Sequence, residues 1–186
     1  FAVLEHGISY TTVGYLPEEC IGQYRQLRRQ LRIREDSTVL DVGCGLGFGF
    51  SELRCGSGYS GIDKSEMMIN GARLLHDGRI EVEQADFNDI SLKDGVGPFD
   101  FIVMSGIFNV GAEWAEIARL VRKAWEMCSH GVGVAFQRQK SDDPSFTIYP
   151  VTKWLKLFHA LSTHVTYDAS WSELNAVITA RRESWP

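Results

Sequence analysis

The sequence lacks any apolar run close to the roughly 20 residues that a membrane-spanning helix needs. It also lacks a basic excess, because 19 lysines and arginines face 24 aspartates and glutamates, for a formal net charge of −5. We therefore expect no membrane partner and no nucleic-acid partner, since phosphate backbones attract clustered lysines and arginines. Residues Phe1–His6 carry neither a basic segment nor a long apolar one, so we expect no signal peptide and a cytoplasmic location.

Cysteine is scarce, and the spacing of Cys20, Cys44, Cys55 and Cys128 matches no zinc or redox motif. A low cysteine density favours a reducing compartment. The acidic pair Asp142-Asp143 stands beside a proline, which is typical of a solvated turn. The sequence thus predicts no metal centre.

The 186 residues, 44% hydrophobic and 23% charged, suit a single globular domain covering 1–186. Helix and strand patterns alternate along the chain. The predicted helices are 18–34, 48–53, 65–76, 112–128 and 151–161. The predicted strands are 38–42, 59–63, 79–84, 99–104, 131–137, 163–167 and 176–180. We place a helix stop at His130-Gly131 and a helix cap at Ser65. This order predicts an α/β fold with a doubly wound, mostly parallel seven-strand sheet, an antiparallel closing strand and helices on both faces.

Basic residues do cluster at one place, where Arg25, Arg28, Arg29, Arg32 and Arg34 share one predicted helix. A solvated helix face is the interpretation we favour. The alternative is a patch that attracts an anionic substrate.

The most informative motif runs from Val39 to Gly47, where the strand VLDV enters the turn GCGLG. Alternate glycines remove the Cβ atoms that would block close approach of a ligand to the backbone. A nicotinamide dinucleotide site would need a G-x-G-x-x-G pattern, and the third glycine would then fall on Phe48 or Phe50. The observed pattern is instead D-x-G-x-G-x-G, beginning at Asp41.

This pattern resembles motif I of the class I, Rossmann-like methyltransferases, and the resemblance extends over nearly the whole chain. It implies S-adenosylmethionine as cofactor and S-adenosylhomocysteine as product. The cofactor carries a sulfonium cation and no phosphate, so an acidic residue at the strand end is compatible with it. Ligands of such sheets bind at the carboxyl ends of the strands.

The resemblance also implies the residues that contact the cofactor. Asp63 would accept hydrogen bonds from both ribose hydroxyls, although a simple helix-capping role is an alternative. Asp86 would bind the adenine amino group and Phe87 would stack on the ring, while a plain loop acid is the alternative for Asp86. The full predicted set is Asp41, Gly43, Cys44, Gly45, Gly47, Asp63, Lys64, Met68, Asp86, Phe87 and Ser105. We interpret Cys44 as a packing residue, not as a nucleophile.

The segments Ser105–Asn109 and His6–Tyr15 resemble those of a small uncharacterised branch of the family, linked to polysaccharide and natural-product pathways. The chain departs from that branch at Gln137, where the branch has asparagine. Residues 1–34 are predicted to form a lid segment and a helix.

Methyl transfer is an in-line displacement that depends mainly on alignment, so a general base is needed only for a protonated acceptor. The candidate catalytic residues are His6, Tyr10 and Asn109, with His6 the best base by its ordinary pKa. The predicted substrate is a small molecule, sugar-like or natural-product-like. The alternatives are an RNA methyltransferase, a non-catalytic regulatory protein that binds the cofactor, and an NAD-dependent oxidoreductase. The sequence does not determine the oligomeric state.

Overall fold

In a computed structural model of the protein, residues 17–91, 97–139 and 146–183 are described. The helices are α1 (Pro17–Leu31), α2 (Phe48–Leu53), α3 (Glu66–Leu75), α4 (Trp114–Met127) and α5 (Val151–His159). The strands are β1 (Val39–Val42), β2 (Tyr59–Asp63), β3 (Val82–Gln84), β4 (Phe99–Ser105), β5 (Cys128–Gln137), β6 (His164–Asp168) and β7 (Asn175–Arg181).

The strands form one seven-stranded sheet in the order β3-β2-β1-β4-β5-β7-β6. The first five pair in parallel, and β7 runs antiparallel to both β5 and β6. The order reverses at β1, whose neighbours are β2 and β4, and this is the switch point where such sheets bind ligands. The predicted fold class is confirmed.

Strand alternation divides the core between the two faces of the sheet. On β1, Val39 packs in the cluster that holds Leu27 of α1, together with residues of α2 and α3. Leu40 points the other way, into the cluster that holds Ile117 of α4 and Trp154 of α5. Helices therefore cover both faces. Within the described residues, no helix is long and apolar enough to cross a membrane.

The junction between α4 and β5 differs from the prediction, which ended the helix at Cys128 and used His130-Gly131 as its stop. The helix ends at Met127, and Cys128 is already extended and paired with Phe99 of β4. Arg182 replaces the glycine stop, because its guanidinium donates to the carbonyl oxygens of Trp125 (2.8 Å) and Cys128 (3.2 Å). Those carbonyls are the unpaired acceptors that a helix end leaves.

Two other boundaries were predicted wrongly. The helix predicted to reach residue 34 ends at Leu31, because Arg32 turns left-handed (φ +60°) and the Ile33 amide returns to the Arg28 carbonyl at 3.0 Å. The strand predicted to start at residue 79 starts at Val82, since only that end pairs with β2. The remaining predicted boundaries agree within two residues, and the Ser65 cap is confirmed by its hydrogen bond from the Met68 amide at 3.3 Å.

Candidate cofactor site

The glycine turn after β1 is held tightly against β2. The amides of Gly43 and Cys44 both donate to the Ile62 carbonyl, at 2.8 and 3.0 Å. Gly43, Gly45 and Gly47 have φ values of +72°, +54° and +76°. These left-handed conformations are costly for any residue with a Cβ. The turn therefore requires glycine for its backbone conformation, and the glycines also leave its surface without side chains.

Neighbouring side chains crowd two of these glycines. A Cβ on Gly43 would lie 2.0 Å from Ile107 Cγ2, and one on Gly47 would lie 2.4 Å from Ile80 Cδ1. His76 also packs near Gly47, and its Nε2 contacts the Leu46 carbonyl at 3.2 Å. Burial lowers the pKa of His76. His76 therefore packs against the turn and supports it.

Asp63 lies at the carboxyl end of β2, next to the glycine turn. Its two oxygens accept from the amides of Gly45 (3.0 Å) and Ser65 (2.8 Å). The bond from Ser65 is not a helix cap, because Ser65 itself caps the helix and Asp63 lies two residues before it. The bond to Gly45 ties the carboxylate to the turn itself, and each oxygen keeps a further lone pair.

Asp86 and Phe87 follow β3 at the same edge of the sheet. Asp86 accepts from the Asn88 amide at 2.9 Å and pairs with Lys64 at 3.0 Å. Its pKa is lowered, chiefly by the Asn88 hydrogen bond and further by Lys64, so it is a carboxylate near neutral pH. The Phe87 ring is buried, and the Lys123 ammonium lies 4.9 Å from its centroid.

Two cavities meet at the glycine turn. The first, which we call the Asp86 cavity, has a volume of about 340 Å³ and is lined by Lys64, Asp86, Phe87 and Glu116 among others. The second, the Ser105 cavity, has a volume of about 370 Å³. Its lining includes Cys20, Gln23, Cys44, Gly45, Met68 and Ser105. Gly43, Asp63 and Ile107 line both, so the two cavities form adjoining halves of one site.

Gln23 is a site residue that the sequence analysis missed. It lies on α1, is fully buried, and its Oε1 accepts a short hydrogen bond from the Ser105 hydroxyl. Its Nε2 has no hydrogen-bond partner among the described residues. A buried amide without a hydrogen-bond partner is energetically costly. Because Gln23 lines the Ser105 cavity, we expect a bound ligand to accept a hydrogen bond from its Nε2. Helical periodicity alone would place Gln23 at an ordinary polar position of a helix and gives no sign that it is buried.

Asp41 is buried in the core behind Tyr24, a residue that lines the Ser105 cavity. Its side chain is fully buried and accepts from the hydroxyls of Tyr59 (2.7 Å) and Tyr24 (3.2 Å). Burial raises its pKa to about 7, although both tyrosine hydrogen bonds lower it. Asp41 and Gly47 line neither cavity. The sequence predicted both as cofactor contacts, whereas the structure has them supporting the turn from within the core.

The predicted catalytic residues divide into two groups. His6 and Tyr10 lie outside the described residues. Asn109 is buried, and its Oδ1 accepts from the Gln137 amide at 3.0 Å, which joins the loop after β4 to the end of β5. Asn109 does not line either cavity. Cys44 is buried in the core, and burial raises the pKa of its thiol, so it suits packing and not nucleophilic attack.

Comparison with known proteins identifies the fold and the family. A family model described as a methyltransferase domain matches residues 39–131, half of the chain. No curated protein matches. Among solved structures, the magnesium protoporphyrin IX methyltransferase ChlM from Synechocystis PCC 6803, with bound S-adenosylhomocysteine, is 12% identical with a TM-score of 0.68, covering 89% of this chain and 82% of that one.

Two other solved structures share the fold. The PH0226 protein from Pyrococcus horikoshii OT3 is 21% identical with a TM-score of 0.64, covering 88% of this chain and 90% of that one. The pyocyanin biosynthetic protein PhzM is 16% identical with a TM-score of 0.63, covering 86% of this chain and 54% of that one. The family match decides against the nicotinamide oxidoreductase. The chain belongs to the methyltransferase domain family and is an S-adenosylmethionine-dependent methyltransferase.

Proposed function

We propose that this chain transfers the methyl group of S-adenosylmethionine to a small molecule, with S-adenosylhomocysteine as the second product. The charge around the two cavities carries the proposal. Their described lining contains the carboxylates of Asp63, Asp86 and Glu116 and a single cation, Lys64, which is already paired with Asp86 at 3.0 Å. Such a lining favours a sulfonium cation and repels the phosphates of a nucleic-acid acceptor.

In this proposal the adenosine part of the cofactor lies in the Asp86 cavity. The ribose hydroxyls donate to Asp63, because each of its oxygens accepts only one backbone hydrogen bond and retains a lone pair. The adenine amino group donates to Asp86, which Lys64 holds in position. Lys123 lies over one face of the Phe87 ring, so adenine would contact the part of the ring that lines the cavity.

The methionine part then lies in the Ser105 cavity, against the bare backbone of Gly43 and Gly45 and beside Cys44 and Met68. Ser105 already donates its hydroxyl proton to Gln23, so its oxygen is left as an acceptor for the ammonium group. Gln23 acts as a positioning residue. Gly47 and Asp41 contribute indirectly, by fixing the turn.

The acceptor would approach from the α1 side of the Ser105 cavity, where Cys20, Phe48 and Met67 form an apolar wall. We propose that 1–186 act as one domain, with residues 1–34 as the lid segment and helix. Cys20 lies in the first turn of α1, so the chain enters α1 next to this wall. His6 and Tyr10 stay the candidates for proton transfer on their chemistry alone, and Asn109 is a candidate for positioning.

The names of two structurally similar proteins support a small-molecule acceptor. ChlM is named for methylation of magnesium protoporphyrin IX, and PhzM for biosynthesis of pyocyanin. We propose an acceptor of sugar-like or natural-product-like chemistry for this chain. In-line alignment of its nucleophile with the sulfonium methyl group would supply most of the rate enhancement.

A product-release assay tests this proposal. The protein is incubated with S-adenosylmethionine and separate pools of hydroxylated sugars, phenols, carboxylic acids, amines and total RNA, and S-adenosylhomocysteine is quantified. We expect turnover with a small-molecule pool and none with RNA. Methylation of RNA, with no turnover of any small-molecule pool, would refute the acceptor class while leaving the family assignment intact.

A further inference from the structure

A further cavity, of about 710 Å³, lies away from the cofactor site. Arginines from two helix ends surround it, and we call it the arginine groove. Its lining is Arg25, Arg28, Arg29, Arg32, Ile33, Arg34, Glu52 and Arg54. Both α1 and α2 end here, on the side where the chain leads into the start of β1, so the groove lies at the edge opposite the glycine turn.

The protein itself neutralises only part of this charge. Arg25 pairs with Glu52 at 2.8 Å, and Arg29 pairs with Asp168 at 2.9 Å. Among the described residues, Arg32 and Arg54 have no carboxylate within ion-pair distance. The Nε of Arg28 is buried and has no hydrogen-bond partner there. Several guanidinium groups are therefore left with unused donors.

A further cation, Arg181 at the end of β7, lies close enough to Arg32 to interact with its charge. The Nε of Arg181 is buried without a partner among the described residues. The pKa of Arg181 is lowered by burial and by the charge of Arg32, which shows that the two cations are crowded. Favourable contact with a helix C-terminus explains one or two cations in a last turn. It does not explain a cluster of this size with buried, unpaired donors.

We propose that the arginine groove binds a small anion carrying two or more phosphate groups. Guanidinium groups bind phosphate oxygens through two parallel hydrogen bonds, and Arg28 and Arg32 have donors to supply them. The volume lies within the roughly 300–1,000 Å³ of small-ligand sites. Glu35 and Asp36 follow the groove directly in the chain. An extended nucleic acid would meet these acidic residues, whereas a compact polyphosphate would not.

Isothermal titration calorimetry of the whole protein with inorganic pyrophosphate tests this site. We expect saturable one-to-one binding that weakens as NaCl is added, because part of the groove is solvent-exposed. Arg32→Gln and Arg28→Gln should each weaken binding about 10-fold or more, as expected for the loss of charge-assisted hydrogen bonds. Arg54→Gln is a third variant that lies at an exposed position, should Arg28→Gln fail to fold.

Arg79→Gln is the matched control, because Arg79 is exposed and pairs with Asp77 outside the groove. It should leave pyrophosphate binding unchanged, and all variants should keep the wild-type affinity for S-adenosylhomocysteine. Absence of pyrophosphate binding overturns the proposal, as does equal weakening in Arg79→Gln. Tighter binding of a short single-stranded RNA, or of vesicles containing phosphatidylserine, would also overturn it in favour of a macromolecular partner.

Discussion

Substituting Gly43 by alanine tests whether the glycine turn is bare because a ligand must lie against it. The new Cβ would lie 2.0 Å from Ile107 Cγ2 and 3.4 Å from Ile107 Cβ. The backbone is also left-handed there, at φ +72°. Alanine at this position therefore suffers two separate penalties, one in the backbone and one in the contact with Ile107.

The backbone penalty has a matched control in Gly78, which follows α3. Gly78 has a φ of +69°, and a Cβ there would meet nothing within 4 Å. Both alanine variants should lose about 1–2 kcal/mol of stability from left-handed strain. In Gly43→Ala, Ile107 must also move, and it lines both cavities. Overpacking of this kind costs about 1–3 kcal/mol. The free protein relieves it by moving Ile107 into the cavities, and a bound ligand prevents that movement, so we expect about 5- to 150-fold weaker ligand binding.

Calorimetry with S-adenosylhomocysteine measures the effect on binding, and urea unfolding measures the stability of each variant. Gly78→Ala should bind like wild type. Adding Ile107→Ala to Gly43→Ala removes Cγ2, so the double variant should bind more tightly than additivity of the two single changes predicts. If Gly43→Ala binds S-adenosylhomocysteine as well as Gly78→Ala does, the reasoning that places the ligand against this turn is refuted.

Three further outcomes are expected. Asp63→Ala should weaken S-adenosylhomocysteine binding by about 1.5–3 kcal/mol, and an unchanged affinity in calorimetry would exclude the ribose contact. The wild-type protein should bind S-adenosylhomocysteine in the same assay and show no saturable heat with NAD; tight NAD binding would contradict the cofactor assignment. For Asp41, the pKa of about 7 in the folded protein lies above the ordinary value of 3.8, so its contribution to stability is present below pH 4 and is lost as pH rises to 7. The free energy of unfolding of wild type relative to Asp41→Asn should therefore fall across that range, by on the order of a few kcal/mol, in urea titrations at a series of pH values. A flat difference would show that the carboxyl group titrates normally. His76 is present in both proteins and cancels in the comparison.

Local patterns were sufficient to predict the sheet. β1 and β4 are short, mostly apolar runs that end in a glycine turn, and the turn after Val42 marks the switch in strand order. The junction at Cys128 was missed because its helix end is satisfied by Arg182, far away in the chain. No residue near the junction carries that information.

The side of β1 on which Asp41 lies could not be predicted either. Alternation along a strand separates two faces but does not say which face meets the ligand. Its partners, Tyr24 and Tyr59, belong to α1 and β2. In the sequence these two residues cannot be distinguished from tyrosines that only pack in the core. A buried acid with two donors is apparent only once the three elements pack together.

The helix α1 contributes side chains both to the cofactor site and to the arginine groove. On one side, Gln23 and Tyr24 reach the Ser105 cavity and Asp41. On another, Arg25 crosses to Glu52 of α2, the helix that begins directly after the glycine turn. The arginines at the C-terminal end of α1 repel one another, and this repulsion destabilises the fold. Neutral residues at the same positions would avoid the repulsion. Since α1 contacts the cofactor site through one set of side chains and the arginine groove through another, a shift of this helix would alter both sites together.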